Sequence, residues 1–139
     1  MGFDYRAFSS ISSAARCSTP AALRLSFAYV LSGGLLEFSS DHAGGITIVF
    51  SGGTADHLKV SSGGTLDVLG TVTSNVDVFA GGTVNVSSGG VVSGGPSSGT
   101  AVSGTLNVLS GGSDAFNAIS GGGQVVVSAG GIASTSERN

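Results

Sequence analysis

The sequence predicts an all-β chain, a parallel β-solenoid (β-helix) of about five rungs with a period near 19, preceded by a short N-terminal helix or cap. One observation is an alternating motif that recurs at residues 64–68, 82–86 and 104–108, with looser copies at 45–49 and 123–127. A second is its spacing, because the leading glycines of these copies lie 19, 18, 22 and 19 residues apart. A regular period of this length indicates repeated structural units that stack on one another.

The third observation is the composition. Glycine and serine each supply 25 of the 139 residues, yet 40% of the residues are hydrophobic and the mean hydropathy is +0.41. A flexible linker or a disordered chain is more polar than this, so the glycines and serines must separate segments that are buried. The net charge of −3 argues against a nucleic-acid-binding protein, which needs clustered basic residues.

Each repeat reads as strand, glycine turn, strand and glycine turn. Alternate residues of a strand share one face, so the second and fourth residues of each leading strand are predicted to point inward. Stacking places them in two inner ladders, which are Leu66, Val84, Leu106 and Val125, and then Val68, Val86, Val108 and Val127. A second short apolar segment follows each turn, with Leu58 and Val60, Val76 and Val78, Ala101 and Val102, and Phe116 and Ile119.

The same alternation places Asp67, Asn85 and Asn107 in an outward ladder. Stacked asparagines are typical of a hydrogen-bonded spine, and the glycine-rich nonapeptide that binds calcium between turns is absent from the sequence. We therefore predict no metal site and no cofactor. The longest repeat carries its extra residues around 94–99, where proline and glycine favour an external loop at a corner.

The first part of the chain lacks the repeat, which divides the chain into a basic segment at 1–32 and a repeat domain at 33–139. Thr19 and Pro20 form a good helix start, so residues 21–31 are predicted to form a helix that caps the solenoid. A targeting segment is the alternative, because basic residues precede an apolar stretch from Leu25 to Leu31. A third alternative is an unrelated start joined to a fragment of a longer repeat protein. The apolar stretch is too short for a membrane span.

Few residues offer catalytic chemistry. Asp41 precedes His42 and Asp56 precedes His57, but neighbours on a strand point to opposite faces and so form no relay. Residues 95–99 match the letters of a nucleophile elbow without its strand and helix. The single cysteine, Cys17, allows no internal disulfide. We predict that the chain is not an enzyme.

At residues 60–68 and 86–92, the sequence resembles the strand-loop-strand repeats of bacterial autotransporter passengers of the AIDA adhesin type. The resemblance covers roughly residues 44–136. It implies a noncatalytic glycoprotein module, secreted or displayed at the cell surface beyond the outer membrane, that mediates adhesion, autoaggregation or biofilm formation. The implied partners are a host-cell or bacterial surface and a glycosyltransferase.

The resemblance also implies O-glycosylation by dedicated heptosyltransferases at serines beside the glycine turns. The candidate acceptors are Ser61, Ser62, Ser87, Ser88, Ser110 and Ser120. The alternative is that small serines are simply tolerated at corners. An uncovered solenoid end further favours self-association.

Two other functions stay open at this point. One is a carbohydrate-active β-helix enzyme, which requires at least two carboxylates in one groove, drawn from Asp56, Asp67, Asp77 and Asp114. The other is a carrier whose role is to accept glycans.

Overall fold

A computed structural model describes residues 8–11, 16–18, 24–73, 76–93, 100–119 and 121–138. In chain order its strands are β1 (Phe8–Ile11), β2 (Arg16–Ser18), β3 (Arg24–Val30), β4 (Leu35–Val49), β5 (Thr54–Val60), β6 (Thr65–Val68), β7 (Thr71–Val72), β8 (Val76–Val78), β9 (Thr83–Val86), β10 (Val91–Ser93), β11 (Thr100–Val102), β12 (Thr105–Val108), β13 (Ser113–Ile119), β14 (Gln124–Val127) and β15 (Ile132–Arg138). Their pairing is parallel throughout these ranges, which confirms the predicted all-β parallel β-solenoid of about five rungs.

The strands stack in three columns. The leading column runs β1, the end of β3, the end of β4, β6, β9, β12 and β14. The second column runs β2, the start of β4, the start of β5, β7, β10, and the starts of β13 and β15. The third column runs from the start of β3 through the middle of β4 and the later part of β5 to β8, β11 and the later parts of β13 and β15. Each rung therefore crosses three sides before it returns to the leading column.

The two inner ladders of the leading column have the predicted register. Leu66 lies opposite Val84, which lies opposite Leu106, and the pairing continues to Val125. The ladder from Val68 to Val127 is paired in the same way. The side chains of β6, β9 and β12 in these ladders are fully buried. Burial of these valines and leucines is the main stabilising contribution of the core.

The second apolar segments also stack, in the third column. Leu58 pairs with Val76, and the ladder that starts with Val60 continues through Val78 to Val102. All five of these side chains are buried. Ala101 differs from the prediction, because it is exposed and lies opposite Asp77 rather than facing the core.

The two glycines of a turn serve different purposes, as residues 89 and 90 show. Gly89 has φ 81°, a left-handed conformation that side chains with a Cβ rarely adopt. Gly90 has an ordinary φ, but a Cβ at this position would overlap the carbonyl oxygen of Val68 in the preceding rung. The first glycine therefore turns the chain, and the second lets successive rungs approach closely.

The predicted helix at residues 21–31 is wrong over Arg24–Val30, because this segment is strand β3. It pairs with β4 from Phe27 opposite Ile46 to Val30 opposite Val49. Ala28 and Val30 are buried, which is the period of two that a strand requires. Pairing with the neighbouring rung outweighs a weak local helix preference in this aromatic and β-branched segment. Thr19 and Pro20 lie outside the described residues.

Parallel pairing thus continues on the N-terminal side of position 32, through β3 and back to β1 and β2. The division into a basic segment and a repeat domain stays a prediction. The described residues form strands and turns, and they include no apolar helix of a length that crosses a membrane. The predicted corner loop around residues 94–99 falls outside them.

Candidate functional site: serines at the glycine turns

The candidate site consists of serines at the turns that join the leading column to the second and third columns. The turn that follows β9 shows the local geometry. Its Gly90 N–H donates to the carbonyl oxygen of Ser87 at 2.7 Å, and Gly89 supplies the positive φ. A four-residue turn closed in this way with glycine at its third position leaves the second residue at the tip. That residue is Ser88, and it is exposed.

Successive turns are joined along the axis by backbone hydrogen bonds. At the corner after the leading column, the Gly89 N–H donates to the Gly111 carbonyl oxygen at 3.0 Å, and the Gly111 N–H donates to that of Gly130 at 3.0 Å. At the corner before the leading column, the Gly63 N–H donates to the Gly81 carbonyl oxygen at 3.0 Å. The serines at the tips are therefore held on rigid backbone, about one rung spacing of 4.8 Å apart where both neighbours are serine.

The glycine of one turn leaves room for the serine of the turn before it. A Cβ built on Gly111 would lie only 3.0 Å from the Ser88 Oγ, and one on Gly130 would lie 2.8 Å from the Ser110 Oγ. Any larger residue at these glycines would press on the hydroxyl group. The stacked turns therefore keep each tip serine hydroxyl beside the backbone of a glycine and open to solvent.

The structure separates the six predicted acceptor serines into groups. Ser62, Ser88 and Ser110 are exposed at turn tips. Ser61 and Ser87 are half-buried, and their carbonyl oxygens accept the hydrogen bonds that close the turns. Ser120 lies outside the described residues. The two groups differ by one position in the turn, which determines how far the hydroxyl projects.

Sequence reasoning missed two serines in the same environment. Ser32 and Ser51 are exposed at turn tips, where Gly34 N–H donates to Leu31 and Gly53 N–H donates to Phe50, each at 2.8 Å. The signal that identifies them is the sequence Ser-Gly-Gly after an apolar residue, which they share with the predicted Ser110. A candidate acceptor serine is therefore defined by its position at the turn tip and not by a neighbouring serine.

The Asp56 and His57 pair departs from the prediction that neighbours on a strand point apart. His57 Nδ1 lies 3.0 Å from Asp56 Oδ2, because His57 adopts φ 52° and breaks the alternation. This residue forms the corner between the second and third columns. Its side chain is 38% exposed. The side chains of Asp41 and His42 lie outside the described part of the chain.

The four carboxylates considered for a glycosidase do not share one groove. Asp67 is on the outer side of the leading column, Asp77 is on the outer side of the third, and Asp56 lies at the corner beside His57. Asp114 points inward and is buried between Val92 and the last rung. Among the side chains that the structure describes, no three of His, Cys, Asp or Glu cluster in a way that would hold a metal ion.

The predicted asparagine spine is confirmed. Asn85 Nδ2 donates to Asp67 Oδ1 at 2.8 Å, and Asn107 Nδ2 donates to Asn85 Oδ1 at 2.9 Å. Each bond joins neighbouring rungs, because the three residues are register partners in β6, β9 and β12. The ladder accounts for the polar residues at this position without a bound cation.

No known protein family matches the chain, and no curated protein does either. A solved structure does, namely the crystal structure of a TibC-catalysed hyper-glycosylated TibA fragment. The match has 26% sequence identity and a TM-score of 0.51, and it covers 94% of this chain. It covers 52% of the TibA fragment, so the chain spans about half the length of that structure.

Proposed function

We propose that this chain is a noncatalytic module of a surface-displayed or secreted adhesin, and that a glycosyltransferase modifies the serines at its turn tips. The observation that carries the proposal is the row of exposed tip serines on a solenoid that matches a hyper-glycosylated fragment along 94% of its length. An enzyme that transfers a sugar to a hydroxyl needs an accessible and well-ordered acceptor. The turn tips provide both, since backbone hydrogen bonds fix them and glycines leave them uncovered.

Within this proposal the acceptors are Ser32, Ser51, Ser62, Ser88 and Ser110, whereas Ser61 and Ser87 are not modified. Ser61 and Ser87 are each the first residue of a turn, and the backbone carbonyl of each accepts the hydrogen bond that closes that turn. Ser120 remains a sequence-based candidate.

The test is co-expression of the chain with TibC, followed by intact-mass measurement and site mapping by peptide mass spectrometry. We expect added sugar mass on the wild type, and S88A combined with S110A should remove two acceptors. The matched control is S87A, which lies in the same turn as Ser88 and should leave the mass gain unchanged. The proposal would be contradicted if the wild type stayed unmodified, or if S87A lost sugar while the combined S88A and S110A variant did not.

The adhesive role depends on the repeated surface and on the solenoid end. In the last rung, Val127 and Ile132 are 46% and 62% exposed, and β14 has its described partner on one side only, which is β12. Exposed apolar strands with unpaired backbone groups favour association with another chain. We therefore include self-association through this end in the proposal.

Display of the repeats on a nonadherent cell tests the adhesive role. We expect increased autoaggregation and surface binding, and V127K combined with I132K should abolish the autoaggregation because charge opposes edge pairing. K59A, at an exposed site on the third column, is the control. Unchanged behaviour of cells that display the folded wild type would disprove the adhesive role and leave the glycosylation test independent of it.

A further inference from the structure

The outer surface of the leading column changes character along the solenoid axis. In β6, β9 and β12 its outward residues are threonine followed by Asp67, Asn85 or Asn107. In β4 the register partners of Thr65 and Asp67 are Ile46 and Ile48, which therefore point outward. Thr47 lies between them and is buried. A polar half and an apolar half therefore meet between Ile48 and Asp67, which are register partners.

The polar half has unused hydrogen-bonding groups at regular intervals. In the spine, Asn85 and Asn107 each donate one Nδ2 hydrogen to the neighbouring rung, which leaves the second Nδ2 hydrogen of each amide. The Asp67 Oδ2 is a further acceptor. The hydroxyl groups of Thr65, Thr83 and Thr105 lie in the adjoining outward ladder and can both donate and accept. Donors and acceptors thus alternate on a half-buried and ordered surface.

The apolar half contains an aromatic pair, in which Phe50 is exposed and Tyr29 is half-buried. The rings of Tyr29 and Phe50 lie edge to face, with their centroids 5.8 Å apart and their planes at 76°. Phe50 is 36% exposed, and Leu31, in the same outward column, is 37% exposed. Ile48 is half-buried beside them and leads directly to Asp67. Phe50 is therefore not an isolated apolar residue, because it lies at the end of the polar ladder.

We propose that this outer surface binds a neutral carbohydrate chain without modifying it. A pyranose ring has an apolar face of C–H groups, which packs on the electron-rich face of an aromatic ring, and a rim of hydroxyls that donate and accept. Phe50 and Ile48 supply the apolar contact, and the spine of Asp67 and Asn85 supplies the hydrogen bonds. The inference deepens the adhesive part of the proposed function, on which it rests, by naming the class of ligand.

The charge and shape of the surface favour this ligand over others. This surface is formed by residues 46–50, 65–68, 83–86 and 105–108, and Asp67 is the one acidic or basic residue among them. An anionic polymer would therefore meet no compensating cation there. The rungs repeat at about 4.8 Å, which is close to the length of one sugar ring in an extended glycan. A glycan that runs along the axis therefore places about one sugar on each rung.

Titration calorimetry tests the inference with the purified, unmodified chain and two probes, cellohexaose and maltohexaose. We expect weak binding of at least one probe by the wild type. F50S should lower its association constant about tenfold, since it removes the ring against which the sugar stacks. N85V should lower it about fivefold, because it removes one hydrogen-bonding group.

The chain itself supplies these substitutions and their control. Ser87 and Ser128 occupy the column position of Phe50, and Val126 occupies the ladder position of Asn85, so both changes are compatible with the fold. L109S is the matched control, because Leu109 is 38% exposed in the same column but belongs to the β12 rung, away from Phe50, Ile48, Asp67 and Asn85. It should leave binding unchanged.

Each outcome is decisive. Binding that is lost in F50S and N85V but kept in L109S supports the inference. Absence of binding of either probe by the folded wild type overturns it, as does binding that all three variants retain. Self-association that depends on Phe50 without glycan binding would show that a second copy covers the patch, and the inference would then be wrong. The experiment uses no cell and no transferase, so its failure leaves the display and glycosylation tests standing.

Discussion

The central rungs and the last rung contain the same leading strand but differ in burial. Val86 in β9 is fully buried, whereas Val127 at the equivalent position of β14 is 46% exposed. The register is intact in both, since Val86 lies opposite Val108 and Val108 lies opposite Val127. Alternation along a strand therefore sets the direction of a side chain, but burial also requires neighbouring rungs on both sides along the axis.

The largest expected effect comes from the second glycine of a turn. In G112A the new Cβ overlaps the carbonyl oxygen of Val86, and the rungs on both sides prevent relief, so we expect a loss of about 3 kcal/mol in the free energy of unfolding. G131A makes the same kind of contact with Val108 O, at 2.5 Å, but β15 is paired on one side only among the described strands and can shift. We expect about 1 kcal/mol there. Urea unfolding monitored by circular dichroism measures both.

A control separates this contact from backbone strain. Gly89 has a positive φ, but the nearest atom to a Cβ built on it is 3.8 Å away, so G89A should cost only the strain of about 1–2 kcal/mol. Equal losses in G112A and G131A would show that the last rung is as constrained as the centre.

The second effect tests burial directly, with one substitution in both regions. V86A removes two buried carbons from the core and should cost about 2 kcal/mol, from lost transfer energy and the cavity that remains. V127A removes the same carbons from a half-exposed site and should cost less than about 0.5 kcal/mol. The measurement is again urea unfolding, and similar losses for the two variants would refute the comparison.

Much of the fold was predictable because each rung repeats a local pattern. The period placed the strands, the alternation in residues 65–68 placed the inner ladders, and the residues between them placed the asparagine spine. These features depend only on neighbours along the strand and on copies one rung away. A single sequence contains both kinds of information.

The errors occurred where the repeat is weak or the backbone leaves its usual conformation. Strand β3 was predicted as part of a helix because its helix-start signal is local, whereas its pairing with β4 is not. The contact between Asp56 and His57 depends on the left-handed backbone conformation of His57, which the sequence does not signal because the residue is not a glycine. The inward direction of Asp114 follows from the register of β13 with β10, which residues 94–99 obscure by lengthening the repeat.

The candidate site was predictable in kind but not in detail. A serine beside a glycine turn is visible in the sequence, but its projection depends on whether it is the first or the second residue of the turn. Ser87 and Ser88 are neighbours in the chain, yet one is half-buried and the other exposed. The backbone hydrogen bond from Gly90 to Ser87 makes this distinction, and that bond is a property of the folded turn.

The smallest expected effect is a gain of stability at the last rung. The spine ends at Asn107, whose partner in β14 is Val126, a residue that is 47% exposed. V126N should extend the spine, because its amide can donate to Asn107 Oδ1 as Asn107 itself donates to Asn85 Oδ1. Little apolar burial is lost, so we expect a gain of about 0.5–1 kcal/mol and slower amide hydrogen exchange in β14. V126T, which also replaces the valine with a polar residue but lacks the reach, is the control. A gain of stability in both variants would show that any polar side chain at position 126 stabilises the rung. No gain in either variant would show that the spine needs rungs on both sides.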